Sequence, residues 1–397
     1  MVGYSVVLLS MPIFKAKKPK KILIIAGSRG EYGYFRPIIR EIEKRRDFDY
    51  ELVVCNMHPL NTFGLSIEEM KKDGLKIGGV VYNTLDGYSR LTMVKSLGIA
   101  MMEFPTVIER INPDFILVAG DRGEQFIAAI VGAHMYIPVV HIQAGELSGN
   151  IDGVIRHAIT KLANIHFSSN EDATQRVLKM GEEPFRVFNV GAPQLDELTA
   201  GLISPKEKIQ KQYGIKKNEP AILLVQHSVT EECEHAEKQM TETMKAVTEL
   251  GYQTVVILNN SDAGSNTIRS TILKYRTPKM KVFENVTRAD YAGLMKAVSV
   301  LVGNSSSGII EAPLFKLPVV NIGNRQKGRV QSDNVINVAH NAAEIKSAIQ
   351  RAISPAFKKQ ADKAVSLYGD GKSSKRILDI LARTTINDKL LVKRLTY

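Results

Sequence analysis

The chain has no tryptophan, two cysteines and few aromatics, 7% of its 397 residues. So few rings leave little material for the base-stacking platforms of a single-strand nucleic-acid binder. Cys55 and Cys233 lie too far apart in sequence for a zinc or redox pair, and so thiol-poor a chain suits a reducing compartment. A cytoplasmic location is therefore expected, with neither a metal site nor a disulfide. Acidic residues are also short, 41 against 53 Lys plus Arg, which leaves a formal charge of +12. A basic chain favours anions, and the scarcity of aromatics turns that preference toward small phosphates and away from nucleic acid. The apolar start, Met1 to Phe14, is too short to span a bilayer. Its lysines, Lys15, Lys17, Lys18, Lys20 and Lys21, follow the apolar stretch, the reverse of a secretory signal. Residues 1–19 are expected to form a disordered extension, with no stable membrane insertion.

What is present is a globular balance, 44% apolar and 24% charged, in a length that suits two or three domains. From Lys21 on, short apolar runs alternate with helical patterns. Strands are expected at 21–26, 51–55, 115–119, 139–142 and 165–168, with helices at 34–44, 124–134, 155–163 and 172–180. Pro193 and the polar stretch Ser204 to Pro220 read as a linker, after which the rhythm restarts with strands at 221–225, 254–258, 298–302 and 317–321. Continuous β-branched runs mean strands covered on both faces, hence parallel sheets. The expected fold class is α/β: two doubly wound Rossmann-like domains, 20–203 and 204–373, around an inter-domain cleft. The segment 374–397 is a candidate to pack on the first. Ligands of such sheets bind beyond the carboxyl ends of the strands.

Those strand ends carry the chemistry. The first strand leads into Gly27-Ser28-Arg29-Gly30-Glu31-Tyr32-Gly33, which is neither a dinucleotide GxGxxG nor a Walker loop, so nicotinamide and ATP chemistry lack support. Gly120-Asp121-Arg122-Gly123-Glu124 follows another strand, and His141-Ile142-Gln143-Ala144-Gly145-Glu146 ends the next, running on through Ser148 and Asp152 to Arg156-His157. Asp152 could be a plain helix cap, Asp121 a turn carboxylate, and His141 and His166 core histidines. In the second half, His227-Ser228-Val229-Thr230, Asn259-Asn260 and Gly303-Asn304-Ser305-Ser306-Ser307-Gly308 follow strands. Hydroxyls and glycine opening a helix can cradle a pyrophosphate, although an ordinary capped helix reads the same way. Arg325-Gln326-Lys327-Gly328-Arg329 adds three cations at a further strand end.

Taken in order, these stretches are similar to those of the hydrolysing UDP-N-acetylglucosamine 2-epimerases of sialic-acid and legionaminic-acid biosynthesis. The chain from about Lys20 to Asp370 resembles that family. The resemblance implies the glycosyltransferase-B-like pair of Rossmann domains. It implies conversion of UDP-GlcNAc and water to N-acetylmannosamine and UDP through a 2-acetamidoglucal, with no cofactor, in a homodimer or homotetramer. By position Asp121 and Asp152 match the family's carboxylates, and a third acidic position falls on Gln143. Gln143 cannot carry a proton, so Glu146 or Glu124 takes that part, or the two aspartates suffice. Arg29, His227, Asn260, Ser305, Ser306, Glu311 and Arg325 fall on the UDP side, with Glu311 toward the ribose and His227 and the serines toward the diphosphate. Arg122 and His157 complete the expected substrate contacts. Alternatives are the same reaction on UDP-N,N'-diacetylbacillosamine, or a glycosyltransferase on the same fold.

Overall fold

The computed structural model describes residues 18–86, 89–148, 151–259 and 262–396, apart from the side chain of Arg29. Most of the expected N-terminal extension and Asn260 lie outside the described residues.

Seven strands make the first sheet: β1 (Lys20–Ala26), β2 (Phe48–Cys55), β3 (Ile77–Val81), β4 (Phe115–Ala119), β5 (Val139–Ile142), β6 (Ile165–Ser168) and β7 (Val187–Asn189). They lie in the order β3-β2-β1-β4-β5-β6-β7, with every pairing parallel. The second sheet holds β8 (Ala221–Val225), β9 (Gln253–Ile257), β10 (Met280–Phe283), β11 (Val300–Gly303), β12 (Val319–Ile322) and β13 (Val335–Val338). Its order is β10-β9-β8-β11-β12-β13, again all parallel. The chain thus has the doubly wound α/β fold that its apolar runs imply. The inner strands β4, β5, β8, β11 and β12 are buried at every residue, whereas the edge strands β3, β7 and β13 are mostly half-exposed. None of these edge strands, nor β10, carries the long apolar run by which a strand is recognised in sequence.

Alternation along β1 sends its side chains into two cores. Ile22 and Ile24 meet Phe35, Ile38 and Ile39 of the helix Arg29–Ile42, while Leu23 and Ile25 meet Phe104 and Ile108 of the helix Arg90–Ile111. Each such buried branched side chain contributes about 1.5–3 kcal/mol. The 22-residue helix Arg90–Ile111 is apolar and long enough to cross a bilayer by length and composition. Here its Ala100, Phe104, Ile108 and Ile111 pack with Leu23 and Ile25 against the first sheet, and Leu91, Val94 and Met102 stay exposed.

The stretch read as a polar linker is instead partly ordered into the second core. The helix Lys206–Tyr213 buries Ile209 and Tyr213 there, and Tyr213 Oη donates to Asp290 at 2.9 Å. Near its end the chain returns to the first sheet. Ile377, Leu378 and Leu381 of the helix Ser373–Arg383 join the core of Phe35 and Ile38. The carboxyl ends of β4, β8 and β9 open on one cleft between the sheets.

Candidate active site

The turn after β1 shows how locally the site is specified. Ser28 caps the helix Arg29–Ile42, and Glu31 Oε2 accepts from the N–H groups of Gly27 and Ser28 at 2.8 and 2.9 Å, a capping box written in the sequence as S-x-x-E. A Cβ at Gly27 would lie 2.0 Å from Glu124 Oε1, so a larger residue there would have to displace the Glu124 side chain. Glu31 and the Ser28 to Tyr34 turn line the cleft.

After β4, Gly120 turns with φ of 72° and presents Asp121 to the cleft. Asp121 Oδ2 forms an ion pair with Arg156 Nη2 and accepts from Ser148 Oγ at 3.2 Å. Arg156 is only 1% exposed, and its other nitrogen Nη1 donates to Gln143 O at 3.0 Å. Asp152 stands one turn before Arg156 on the helix Ile151–Leu162, so both reach the same cleft. Burial pushes the Asp152 carboxyl up to about 6, with the charges of Asp121 and Asp262 adding to the rise and Arg325 and Arg122 opposing it. Arg122 lines the cleft too, paired with Asp262 from the opposite side and 3.9 Å from Glu124 Oε1.

The opposite wall is built from the second sheet. Gly303 closes β11 at φ of 128°, where a Cβ would sit 2.1 Å from Val225 O, so only glycine lets the serine loop begin there. Ser305 and Ser307 share a hydrogen bond at 2.9 Å, and Tyr291 Oη meets Ser307 Oγ at 2.5 Å. Burial and the Glu311 charge raise the Tyr291 phenol to about 12, so it stays protonated. The helix that follows, Ser307–Ile310, is a single turn continued by the tight turn 312–315. Its dipole is correspondingly small, so hydroxyls, N–H groups and cations carry the anion-holding capacity. Asn304 ties three loops together: it exchanges hydrogen bonds with the backbone of His227 at 2.7 and 2.9 Å, and its carbonyl accepts from Arg325 Nη1 at 3.1 Å and Gln326 Nε2 at 2.9 Å. Glu311 Oε2 accepts from Arg288 Nη1 at 2.8 Å.

The cleft encloses about 1540 Å³, part of it open to solvent. It brings together Asp121, Asp152, Arg122, His227, Ser305, Ser306, Glu311 and Arg325 of the residues singled out in the sequence. Four others are not among its lining residues; one is Glu124, 2% exposed and accepting from Asn56 Nδ2 at 2.9 Å. Gln143 has φ of 59°, which aims its carbonyl at Arg156, and its side chain is buried with Nε2 unpartnered among the described residues. Glu146 is 2% exposed, accepts from Asn170 Nδ2 at 2.6 Å and is raised by burial. His157, on the helix Ile151–Leu162, is half-buried and lowered by burial and by Arg156. The Arg29 side chain and Asn260 lie outside the described residues. His141 proves to be a core residue, with Nε2 2.8 Å from Gly120 O and its pKa lowered by burial. Arg156 and Asn304 stand in the sequence motifs without a role of their own, and neither Arg288 nor Tyr291 is singled out in the sequence. Arg156 carried a signal in its spacing of four from Asp152. Among the described residues no group of His, Cys, Asp and Glu is arranged to hold a metal ion.

Two parallel sheets of Rossmann order around a shared cleft define the glycosyltransferase-B-like fold class. Within it, the chain belongs to the UDP-N-acetylglucosamine 2-epimerase family, whose model matches residues 40–382. A UDP-N,N'-diacetylbacillosamine 2-epimerase (hydrolyzing) of Legionella pneumophila is 35% identical over 94% of this chain and 98% of its own length. A UDP-N-acetylglucosamine 2-epimerase of Neisseria meningitidis serogroup B is 32% identical over 84% of this chain and 88% of its own. In fold, the chain is similar to the UDP-GlcNAc 2-epimerase of N. meningitidis solved bound to UDP-GlcNAc, with a TM-score of 0.79 at 19% identity over 92% of this chain and 100% of that one.

Proposed function

We propose that this chain is a hydrolysing 2-epimerase that converts UDP-GlcNAc and water to N-acetylmannosamine and UDP. The observation that carries the reading is the division of one cleft into a carboxylate wall, with Asp121 and Asp152, and a wall of hydroxyls and cations, with Ser305, Ser306, His227 and Arg325.

The C2 proton of the sugar is not acidic while no carbonyl adjoins it, so inversion at C2 has to begin by breaking the anomeric C1–O bond. Departure of UDP leaves an oxocarbenium-like centre, from which a base removes the C2 proton to give a 2-acetamidoglucal. Water then adds at C1 and a proton returns to the other face of C2. Two proton-transferring groups are needed, and Asp152, raised to about 6, can exchange a proton near neutral pH. Asp121, gripped by Arg156 and Ser148, is the second. Arg325, His227 and the serines hold the departing diphosphate, whose growing charge they stabilise. Glu311 accepts from the ribose hydroxyls. Substrate and products share one oxidation level, so no redox cofactor is required.

A second substrate has its own support: the Legionella relative, matched over nearly the whole chain, is named for UDP-N,N'-diacetylbacillosamine. A glycosyltransferase reading finds no such support. The same proposal places the enzyme in the cytoplasm as a homodimer or homotetramer, and the exposed Leu91, Val94 and Met102 offer a face for a second copy.

The test is incubation with each UDP-sugar in deuterated water, followed by proton NMR. Free UDP with a C2-deuterated manno sugar is expected, and the faster donor names the substrate. UDP release with an unepimerised, unlabelled sugar would exclude the epimerase reading.

A further inference from the structure

The helix Ile151–Leu162 carries Asp152 in its first turn and Arg156 in its second, and each of its ends is held by a group distant in sequence. At the last turn, Lys393 Nζ donates to Thr160 O at 2.9 Å and Lys161 O at 3.0 Å. Lys393 is itself anchored by Glu182 at 2.7 Å, and the chain around it by Arg186, which donates to Leu390 O at 2.6 Å and Lys389 O at 2.7 Å. A cation on the final carbonyls suits a helix C-terminus. All of these contacts lie on the first-sheet side of the cleft, so this end does not depend on the other wall.

The first turn is different. The N–H groups that open a helix have no acceptor within it. For Ile151 the acceptor is the carboxylate of Glu231, which belongs to the turn Thr230–His235 beyond β8 on the far wall. A carboxylate is the favoured partner at a helix start. The contact stands among others that cross the cleft: Arg90 to Glu234 at 3.0 Å and to Glu231 O at 3.3 Å, Arg122 to Asp262, and Ala263 N to Met93 Sδ at 3.2 Å. Glu231 is not part of the cleft lining.

We propose that Glu231 is a positioning residue, which by accepting the Ile151 N–H makes the alignment of Asp152 conditional on closure of the two walls. With the walls apart, the first turn of the helix lacks its acceptor while the last turn stays clamped by Lys393. The helix is then anchored at one end and loose at the end that carries Asp152. Closure supplies the missing acceptor, so the base comes into register together with the anion-holding wall.

Glu231→Ala and Glu231→Gln separate this from a general effect of charge, because the glutamine amide oxygen can still accept from Ile151 N–H. Two measurements on the full chain are needed: kcat and KM on the donor that the wild type turns over, and hydrogen exchange of the amides of residues 151–156 with UDP bound. The kinetic arm rests on the epimerase reading, whereas the exchange arm does not. In Glu231→Ala, kcat is expected to fall roughly ten- to one hundred-fold with KM within about threefold. First-turn exchange should rise about fivefold or more. Glu231→Gln is expected to stay near wild type in both. Unchanged kcat and exchange in Glu231→Ala, or equal damage in the two variants, would overturn the proposal. If the wild type turns over neither donor, the epimerase reading falls, and the exchange arm still decides: faster exchange in the alanine variant alone supports Glu231 as the positioning group, and unchanged exchange overturns it.

Discussion

Beyond β4, the first wall hands Asp121 to Arg156, a guanidinium almost wholly removed from water, and sets Asp152 nearby with its carboxyl raised to about 6. Beyond β11, the equivalent position of the second sheet, the loop hands Ser305 and Ser307 to each other and to Tyr291, a phenol kept protonated by its burial and the charge of Glu311. Both walls follow the same strand order around their switch points, β1 beside β4 and β8 beside β11. Topology therefore fixes where a ligand lies, and the residues at the strand ends decide what each wall does to it. The Asp152 carboxyl, raised to about 6 by burial and the neighbouring charges of Asp121 and Asp262, can move a proton near neutrality. Hydroxyls, amides and guanidinium groups keep one protonation state and can only hold.

That division is open to breakage, first at its strongest point. Asp121→Asn is expected to lower kcat by about 10²–10⁴-fold, the range for loss of a general acid or base, while UDP affinity by calorimetry changes no more than about threefold. A parallel loss of UDP affinity would show that the walls do not act separately. On the other side, Arg325→Ala removes a charged donor and should weaken UDP binding about ten- to one hundred-fold, as expected for a hydrogen bond to a charged group. The same variant sharpens the comparison, because Arg325 is among the cations that hold the Asp152 carboxyl down. If Asp152 acts as the base, wild-type kcat falls below pH of about 6, where the carboxyl protonates. In Arg325→Ala that acid limb moves to higher pH. A limb that stays in place would detach Asp152 from the second wall.

How much of this was written in the sequence depends on how local each feature is. The inner strands were legible because burial on both faces demands uninterrupted apolar runs, as in Phe115–Ala119 and Ala221–Val225. The edge strand Ile77–Val81, with two glycines, and the three-residue Val187–Asn189 make no such demand. Site residues that follow a strand directly, such as Asp121 and Ser305, were legible for the same reason. Asn304 takes its part through His227, 77 residues away. The pairing of Arg156 with Asp121, 35 residues away, is likewise encoded by no short-range pattern, although its spacing of four from Asp152 places it on the same helix face. Adjacency alone does not bring a side chain into the cleft: Gln143 and Glu146 come soon after β5, but the positive φ of Gln143 and Gly145 turns the chain there, and neither side chain lines the cleft.

The smallest expected effect concerns stability, and it separates the two aspartates from each other. Asp152 has a folded-state pKa raised from 3.8 to about 6, so between those values the native state binds more protons than the unfolded chain. Stability from this group is complete below about pH 4, declines as pH rises through 6, and is lost at pH 7. Asp152→Asn removes that ionisation and should stabilise the protein at pH 7 on the order of 1–2 kcal/mol, with the gain vanishing near pH 4. Asp121→Asn has the opposite sign. It takes the carboxylate from Arg156, which is 1% exposed, and the amide oxygen that remains only partly replaces it. A loss of about 2–3 kcal/mol is expected, less than for outright removal of one partner of a buried pair. Urea unfolding of the two variants at pH 7 and pH 5 checks both signs. Equal destabilisation by the two would mean that Asp152 is held by its neighbours as firmly as Asp121, and that its carboxyl is not the strained member of the first wall.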